Sequence, residues 1–173
     1  LERRIAAHAA AYIPDGATLE FGLGALPDAI LATLGDRRDL GVHSGSLGDA
    51  VVDLMARGVI TNARKPIDTG KTIGGLLLGT RTLFDFAHRN PQIELRSSDY
   101  THAAAVLGKL PTFVAINSAV EVDLTGQVNA EVASRAYVGA VGGALDFIRA
   151  ANASVGGVSL VCLRSTVGSK ASR

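Results

Sequence analysis

The residues best equipped for chemistry sit at three glycine-bearing joints. The first is Phe21-Gly22-Leu23-Gly24-Ala25, preceded by Glu20. Glycines at that spacing let a backbone pass close to a ligand, and a helix starting behind them would offer unpaired N–H groups to an anion. A tight turn whose glycines serve only packing gives the same string. The second is Val42-His43-Ser44-Gly45-Ser46, with two hydroxyls and an imidazole. A Ser/His nucleophile pair needs a base with an orienting partner, and none is evident, so His43 also reads as a packed histidine hydrogen-bonded at a sheet edge. The third is Gly139-Ala140-Val141-Gly142-Gly143-Ala144, a glycine-rich turn before a helix that would cradle an anion or merely allow close packing.

The joints need strands and helices to hold them, and the apolar periodicity supplies both. Ile5, Ala9 and Tyr12 fall at helical spacing ahead of the Pro14-Asp15-Gly16 turn, and Thr18–Phe21 then reads as a short buried strand. Pro27 suits a first helical turn, with Ala29, Ile30, Thr33 and Leu34 as its face and Gly35 as its end. Leu40–His43 is the next strand, and Gly48 to Arg57 a second helix closed by Gly58. Thr72–Leu78 is a strand, Thr80–His88 a helix with Thr80 as N-cap, and Ile93–Leu95 a strand after the Asn90-Pro91 break. Phe113–Asn117, Val120–Leu124 and Val158–Leu163 complete the strands, and Leu145–Ala151 is helical. Strands alternating with helices predict an α/β fold with a parallel or mixed sheet, in which ligands collect beyond the carboxyl ends of the strands.

Composition narrows the classes. With 173 residues, 47% hydrophobic and 19% charged, the chain is expected to form one domain. A formal charge of +1 with acids and bases interspersed gives no electrostatic footprint for nucleic acid or an anionic membrane, so any anionic ligand must be held locally. The single Cys162 fits a reducing, cytoplasmic setting, and no apolar run is long enough to span a bilayer. His8, His88 and His102 have no partner at ligand spacing, so no metal site is expected. Arg64-Lys65 would meet anionic groups or form a solvated turn. The opening helical segment without an initiating methionine and the polar tail Ser165–Arg173 suggest a piece of something larger.

The joints also occur in order with other distinctive strings. Asp15–Ala29 (DGATLEFGLGALPDA), Leu40–Asn62 (LGVHSGSLGDAVVDLMARGVITN), Ala115–Val128 (AINSAVEVDLTGQV) and Val141–Arg149 (VGGALDFIR) together resemble the acetyl-CoA hydrolase/transferase family, specifically its C-terminal half. The likeness runs from about Asp15 to Thr166. It implies a three-layer α/β fold of the CoA-transferase (NagB/RpiA-like) type, coenzyme A as ligand, and short-chain acyl-CoA and small carboxylic acids as substrates. It also implies an N-terminal half or second subunit that this chain lacks, and self-association. By the same resemblance Glu20, Phe21, Gly22, Leu23, Gly24, Val120, Gly142 and Gly143 fall on CoA-contacting elements, and Gly143 and Ala144 on the group that orients the carbonyl oxygen.

In such enzymes a glutamate attacks the acyl-CoA thioester to give a mixed anhydride, CoA then forms a glutamyl-CoA thioester, and an incoming acid recovers the CoA. By motif that glutamate follows the His-Ser pair on the loop ending the second strand, which is Gly45 here. The family's Gly-Gly-Gln likewise becomes Gly142-Gly143-Ala144, removing an amide donor. Both departures strike the same chemistry. Glu20, where the family often has glutamine, is the candidate substitute carboxylate; Glu121, with Asn117, Asp123, Gln127 and Asn129, reads as a structural or CoA-side network. Direct attack by water, admitted by the space left at Gly45, is the alternative chemistry. The competing expectation is a catalytically silent CoA-binding or structural paralogue.

Overall fold

A computed structural model describes residues 1–139, 142–167 and 170–171. Six strands form one sheet: β1 (Thr18–Phe21), β2 (Gly41–Leu47), β3 (Thr72–Leu77), β4 (Ile93–Leu95), β5 (Phe113–Ser118) and, late in the chain, β10 (Val158–Cys162). Their order is β10-β5-β1-β2-β3-β4, and every adjacent pair is parallel. The chain moves outward from β1 through β4 and then returns to the other side of β1. The strand order therefore reverses between β1 and β5, the place where open parallel sheets take their ligands.

Helices cover both faces. Helices α1 (Glu2–Ala10), α2 (Ala25–Ala32), α3 (Ala50–Ala56) and α4 (Arg81–Ala87) accompany the first four strands. Leu19, Phe21, Val42, Val114 and Ile116 bury one side of the sheet in a core with Ile30, Leu31, Val51 and Leu54 of α2 and α3. The short helices α5 (Ser98–Thr101) and α6 (Ala104–Leu107) and the longer α7 (Ala144–Ala153) lie on the opposite side, where Phe113 and Ala115 pack with Leu107, Leu110, Phe147 and Ala151. Helices of 7 or 8 residues such as α3 and α2 are too short to persist alone, so the free energy that holds them comes from docking. Full burial of each Leu, Ile or Phe contributes ~1.5–3 kcal/mol of transfer free energy.

Most predicted elements form. Thr80 caps α4, its side chain accepting from Thr82 N–H. The differences have physical causes. The second strand continues to Leu47 rather than ending at His43, because Ser44, Ser46 and Leu47 pair with Gly74, Leu76 and Leu77 of β3. Of Val120–Leu124 only Glu121–Val122 (β6) is strand, paired antiparallel with β7 (Val128–Asn129) in a ribbon beside β8 (Val132–Ala133) and β9 (Ala136–Tyr137). Leu124 sits fully exposed at the ribbon's turn, so it buries nothing that would extend the strand. Helices α5 and α6 carry no repeating apolar face that a periodicity reading would find. No helix among the described residues is long and apolar enough to cross a membrane.

Candidate functional site

At the switch point the two glycines of Gly22-Leu23-Gly24 are required for different reasons. Gly24 has φ 129° and ψ 170°, a conformation closed to side-chain-bearing residues, and there it starts α2. Gly22 continues the ladder, its N–H donating to Ile116 O at 2.8 Å, and a Cβ there would lie 3.0 Å from Asn117 Oδ1. A cavity of about 180 Å³ opens beside them, lined by Gly22, Leu23, Asn117, Ser118, Ala144 and Val161 among others. The ribbon contributes Val128 and Ala130 to the same wall. Val120 instead donates its N–H to Asn129 O at 2.8 Å, and Phe21 is sunk in the α2–α3 side core. Neither Val120 nor Phe21 offers a side chain to the cavity.

Glu20 lies directly behind this opening. It is 3% exposed, and Asn117 Nδ2 donates to its Oε2 at 3.0 Å. Burial pushes its pKa up to about 8, against the pull of the Asn117 hydrogen bond. The acid is therefore largely protonated at neutral pH, which suits a hydrogen-bonding group and disarms a nucleophile.

The second joint is built differently from the sequence expectation. Gly45 lies inside β2, not on a loop, between residues that pair with β3. Successive strand residues point to opposite faces, so His43 and Ser44 cannot act as a nucleophile–base pair. Ser44 Oγ donates to Phe21 O at 3.2 Å and sits 3.4 Å from Phe21 N, tying together β1 and β2 where their ladder ends. His43 is fully buried on a central strand rather than at an edge, with Nε2 3.1 Å from Thr101 O. Desolvation first, and the Lys65 charge second, lower its pKa to about 4, so it is neutral at pH 7. Its Nδ1 has no partner among the described residues.

The space that a side chain at residue 45 would take is tight. A Cβ on Gly45 would lie 3.3 Å from both Cε1 and Nε2 of His102 and 3.4 Å from Phe147 Cε2. The open space expected beside Gly45 is thus narrowed by aromatic edges. The His102 ring packs against Phe147, tilted by 48° with 4.6 Å between centroids, and any Cβ on Gly143 would overlap the ring. Gly45, His102, Gly143 and Phe147 form one cluster from three distant parts of the chain. In the sequence His102 stands isolated because its spacing to other polar residues carries no signal; only the docking of α5 brings it under β2. Gly142 has open space where a Cβ would be, and Ala144 begins α7. Ala140 and Val141 of the third joint lie outside the described residues.

The remaining polar candidates have structural partners. Arg64 is paired with Asp39 at 3.0 Å, while Lys65 is buried, its Nζ donating to Val42 O at 3.0 Å and Lys71 O at 2.7 Å. Lys65 is therefore neither in a solvated turn nor free to meet a phosphate. Burial lowers its pKa to about 8. Asn129 Nδ2 donates to Glu121 Oε1 at 2.8 Å, and Asp123 accepts from Thr125 and Gln127 in the ribbon turn, so this network shapes the wall of the cavity. Among the described residues no group of His, Cys, Asp and Glu is placed to hold a metal ion.

Comparison with known proteins adds an independent line. A sequence model described as the acetyl-CoA hydrolase/transferase C-terminal domain matches residues 79–173. The chain is 43% identical over 168 residues to 4-hydroxybutyrate coenzyme A transferase of Clostridium kluyveri, covering 97% of this chain and 39% of that protein. It is 40% identical over 161 residues to butyryl-CoA:acetate CoA-transferase of Anaerostipes caccae, covering 92% and 36%. Among solved structures, RipA from Yersinia pestis superposes with a TM-score of 0.90 at 35% identity, covering 99% of this chain and 38% of that one. A 4-hydroxybutyrate CoA-transferase from Porphyromonas gingivalis gives a TM-score of 0.87 at 36% identity, covering 99% and 41%. The chain thus spans roughly two-fifths of the length of the relatives it matches.

Proposed function

The chain belongs to the acetyl-CoA hydrolase/transferase family, and from that premise we propose that it binds coenzyme A thioesters of short-chain acids at the carboxyl ends of β1 and β5. The observation that carries this reading is the cavity at the switch point, backed by Glu20–Asn117 and walled by Ala144 at the start of α7. The thioester end of CoA enters there, Gly22 and Gly24 let the loop approach it, and backbone N–H groups at Gly143 and Ala144 face the carbonyl oxygen. Coenzyme A is the substrate, with a small carboxylic acid as donor or acceptor of the acyl group.

By the resemblance, the family's glutamate falls on Gly45 and the amide after its Gly-Gly pair on Ala144, and on that reading the covalent relay through an acyl-glutamyl anhydride and a glutamyl-CoA thioester is closed to this chain. Activity then requires a group outside that relay, from this chain, from an N-terminal half, or from a second subunit. The chain's coverage of about two-fifths of its relatives supports reading it as the C-terminal part of a larger protein. A second reading, a catalytically silent CoA-binding paralogue, is favoured by the close packing of His102 and Phe147 beside residue 45.

Calorimetric titration with CoA and acetyl-CoA tests the reading, on the natural chain and on Gly45→Glu. Saturable binding to both, with acyl exchange only in the variant, supports a CoA site whose glutamate is gone. No binding to either chain refutes a CoA site that this domain holds by itself.

A further inference from the structure

We propose that Glu20 is a positioning residue of this site: its carboxyl proton keeps Asn117 in place as a wall of the switch-point cavity, and loss of that proton weakens the hold on a CoA thioester. The inference rests on the CoA-site reading above. Asn117 lines the cavity with Gly22, Ser118 and Ala144, and its Nδ2 donates to Glu20 Oε2 at 3.0 Å. Its Oδ1 packs over Gly22, 3.0 Å from the place a Cβ would take. Glu20 itself is buried one layer behind and lines no part of the cavity, so it reaches a ligand only through Asn117.

Among the described residues no positive charge is placed to hold an ionised Glu20. Leu19 pairs with Val42, so the next step of the two strands brings Glu20 beside His43. Leu19 and Val42 both face the α2–α3 core, which turns Glu20 and His43 to the opposite side of the sheet. His43 is neutral at pH 7, its pKa lowered to about 4 chiefly by burial, and its Nδ1 has no partner among the described residues. Lys65, Asp68 and His102 act electrostatically on His43, and Lys65 Nζ is already tied to Val42 O and Lys71 O. On β5 the residues nearest Glu20 are Ala115 and Asn117, and from α7 Phe147 packs over Ala115. None of these three carries a charge.

An ionised Glu20 therefore has only the Asn117 amide and the backbone at Ile116 as donors. A buried carboxylate without a counter-ion is costly, and water drawn toward it relieves the cost. The opening in front of Glu20 is the cavity itself. Ionisation thus pulls the Asn117 amide toward the charge and brings water to the place of the ligand, whereas the protonated acid leaves the wall closed. By linkage, a ligand that excludes this water prefers the protonated state and lifts the Glu20 pKa further above its free value of about 8. Binding and proton uptake then become one event.

The test is calorimetric titration with acetyl-CoA, whose phosphates are fully ionised above pH ~7.5, in buffers of different ionisation enthalpy. At about pH 8.5 the natural chain is expected to take up roughly half a proton for each acetyl-CoA bound. Its affinity is expected to fall roughly fivefold or more from about pH 7.5 to about pH 9.5. Glu20→Gln is expected to lose that uptake and that fall, because its amide still accepts from Asn117 and has no proton to give up. Lys65, with a pKa of about 8, titrates in the same range, but its share is common to both chains. The sequentially assigned carboxyl 13C resonance of Glu20 in the natural chain gives a second reading that needs no variant. It is expected to titrate near pH 8 in the free chain and higher with acetyl-CoA bound. Binding with equal proton uptake by the two chains, or a Glu20 resonance that titrates in the ordinary carboxylate range, overturns this inference alone. Failure of both chains to bind overturns the CoA-site reading and this one with it.

Discussion

The ends of β1 and β2 are neighbours in one sheet, yet they solve opposite problems. At the end of β1 a carboxyl group is present and buried, paired with an amide at 3.0 Å and held neutral by desolvation. Two residues past His43 on β2 there is no side chain at all, and the imidazole of His102 at the C-terminal cap of α5 with a phenyl ring from α7 narrows the gap. The first end keeps a polar group and removes its charge. The second has no side chain of its own and is flanked by groups from other elements. An acid's presence in a cleft therefore says little about nucleophilicity until its burial is known, and a glycine says little about emptiness until its neighbours are known.

The aromatic side of that contrast gives the largest expected effect. Phe147 is 2% exposed and packs both against His102 and against Phe113. Phe147→Ala should destabilise the chain by ~3–5 kcal/mol, because it loses transfer free energy and leaves a cavity beneath β5. Urea unfolding measures it, and a loss under ~1 kcal/mol would mean the cluster relaxes freely and cannot hold His102 in register.

The acid side predicts a pH dependence. Glu20 has its folded pKa raised from 4.5 to about 8, so between those values the unfolded chain releases a proton that the native chain retains. Stability contributed by Glu20 is fully present below pH 4.5 and is lost as pH rises through about 8. Over the same interval His43, lowered to about 4, acts in the opposite sense up to its ordinary value of 6.5, so only the difference between variants isolates the acid. Glu20→Gln should therefore gain stability relative to the parent by a few kcal/mol as pH goes from ~5 to ~8, with Asn117 still offered an acceptor. A difference curve flat with pH would show that the carboxyl is ionised in the native state and available for other work.

What the sequence disclosed and what it hid divide along the same line. Thr18–Phe21, Pro27–Leu34 and Thr80 were legible because period, turn residues and caps are local. The strings that resemble a known family located the switch-point loop and Gly45 for the same reason. The extension of β2 through Gly45 was not legible, since Ser-Gly-Ser reads as a turn unless the partner strand β3 is known. Nor was His102: its relation to Gly45 and Gly143 spans 57 and 41 residues and exists only after α5 docks on β2. Lys65 was not legible either, since a buried ammonium with two carbonyl partners has the same sequence appearance as a solvated one.

The adjacent glycines 142 and 143 sharpen the comparison at smaller magnitude. Gly143 has φ −79° and ψ 2°, a conformation open to alanine, so any penalty there measures the ring alone. Gly143→Ala should cost ~1–3 kcal/mol as His102 is forced out of its place. Gly142→Ala, with open space where its Cβ would be, should stay within ~0.5 kcal/mol. Equal effects at the two positions would contradict the placement of His102 against Gly143.

The smallest effect bears most directly on whether a glutamate could be accommodated at residue 45 of β2. At Gly45 an added Cβ would stand 3.3–3.4 Å from His102 and Phe147, tighter than usual packing but short of collision. Against that, glycine inside a strand gives up about 0.5–1 kcal/mol relative to alanine through backbone entropy. The two terms nearly cancel, so Gly45→Ala should change stability by less than ~1 kcal/mol in either direction. A gain well beyond this would mean a void beside Gly45 that water or a longer side chain can use. A loss beyond ~2 kcal/mol would mean a rigid ring wall, and Gly45→Glu would then need His102→Ala beside it to fold. Thermal unfolding of the single and paired variants separates these outcomes: a positive interaction between residues 45 and 102 is what two side chains competing for one space must produce.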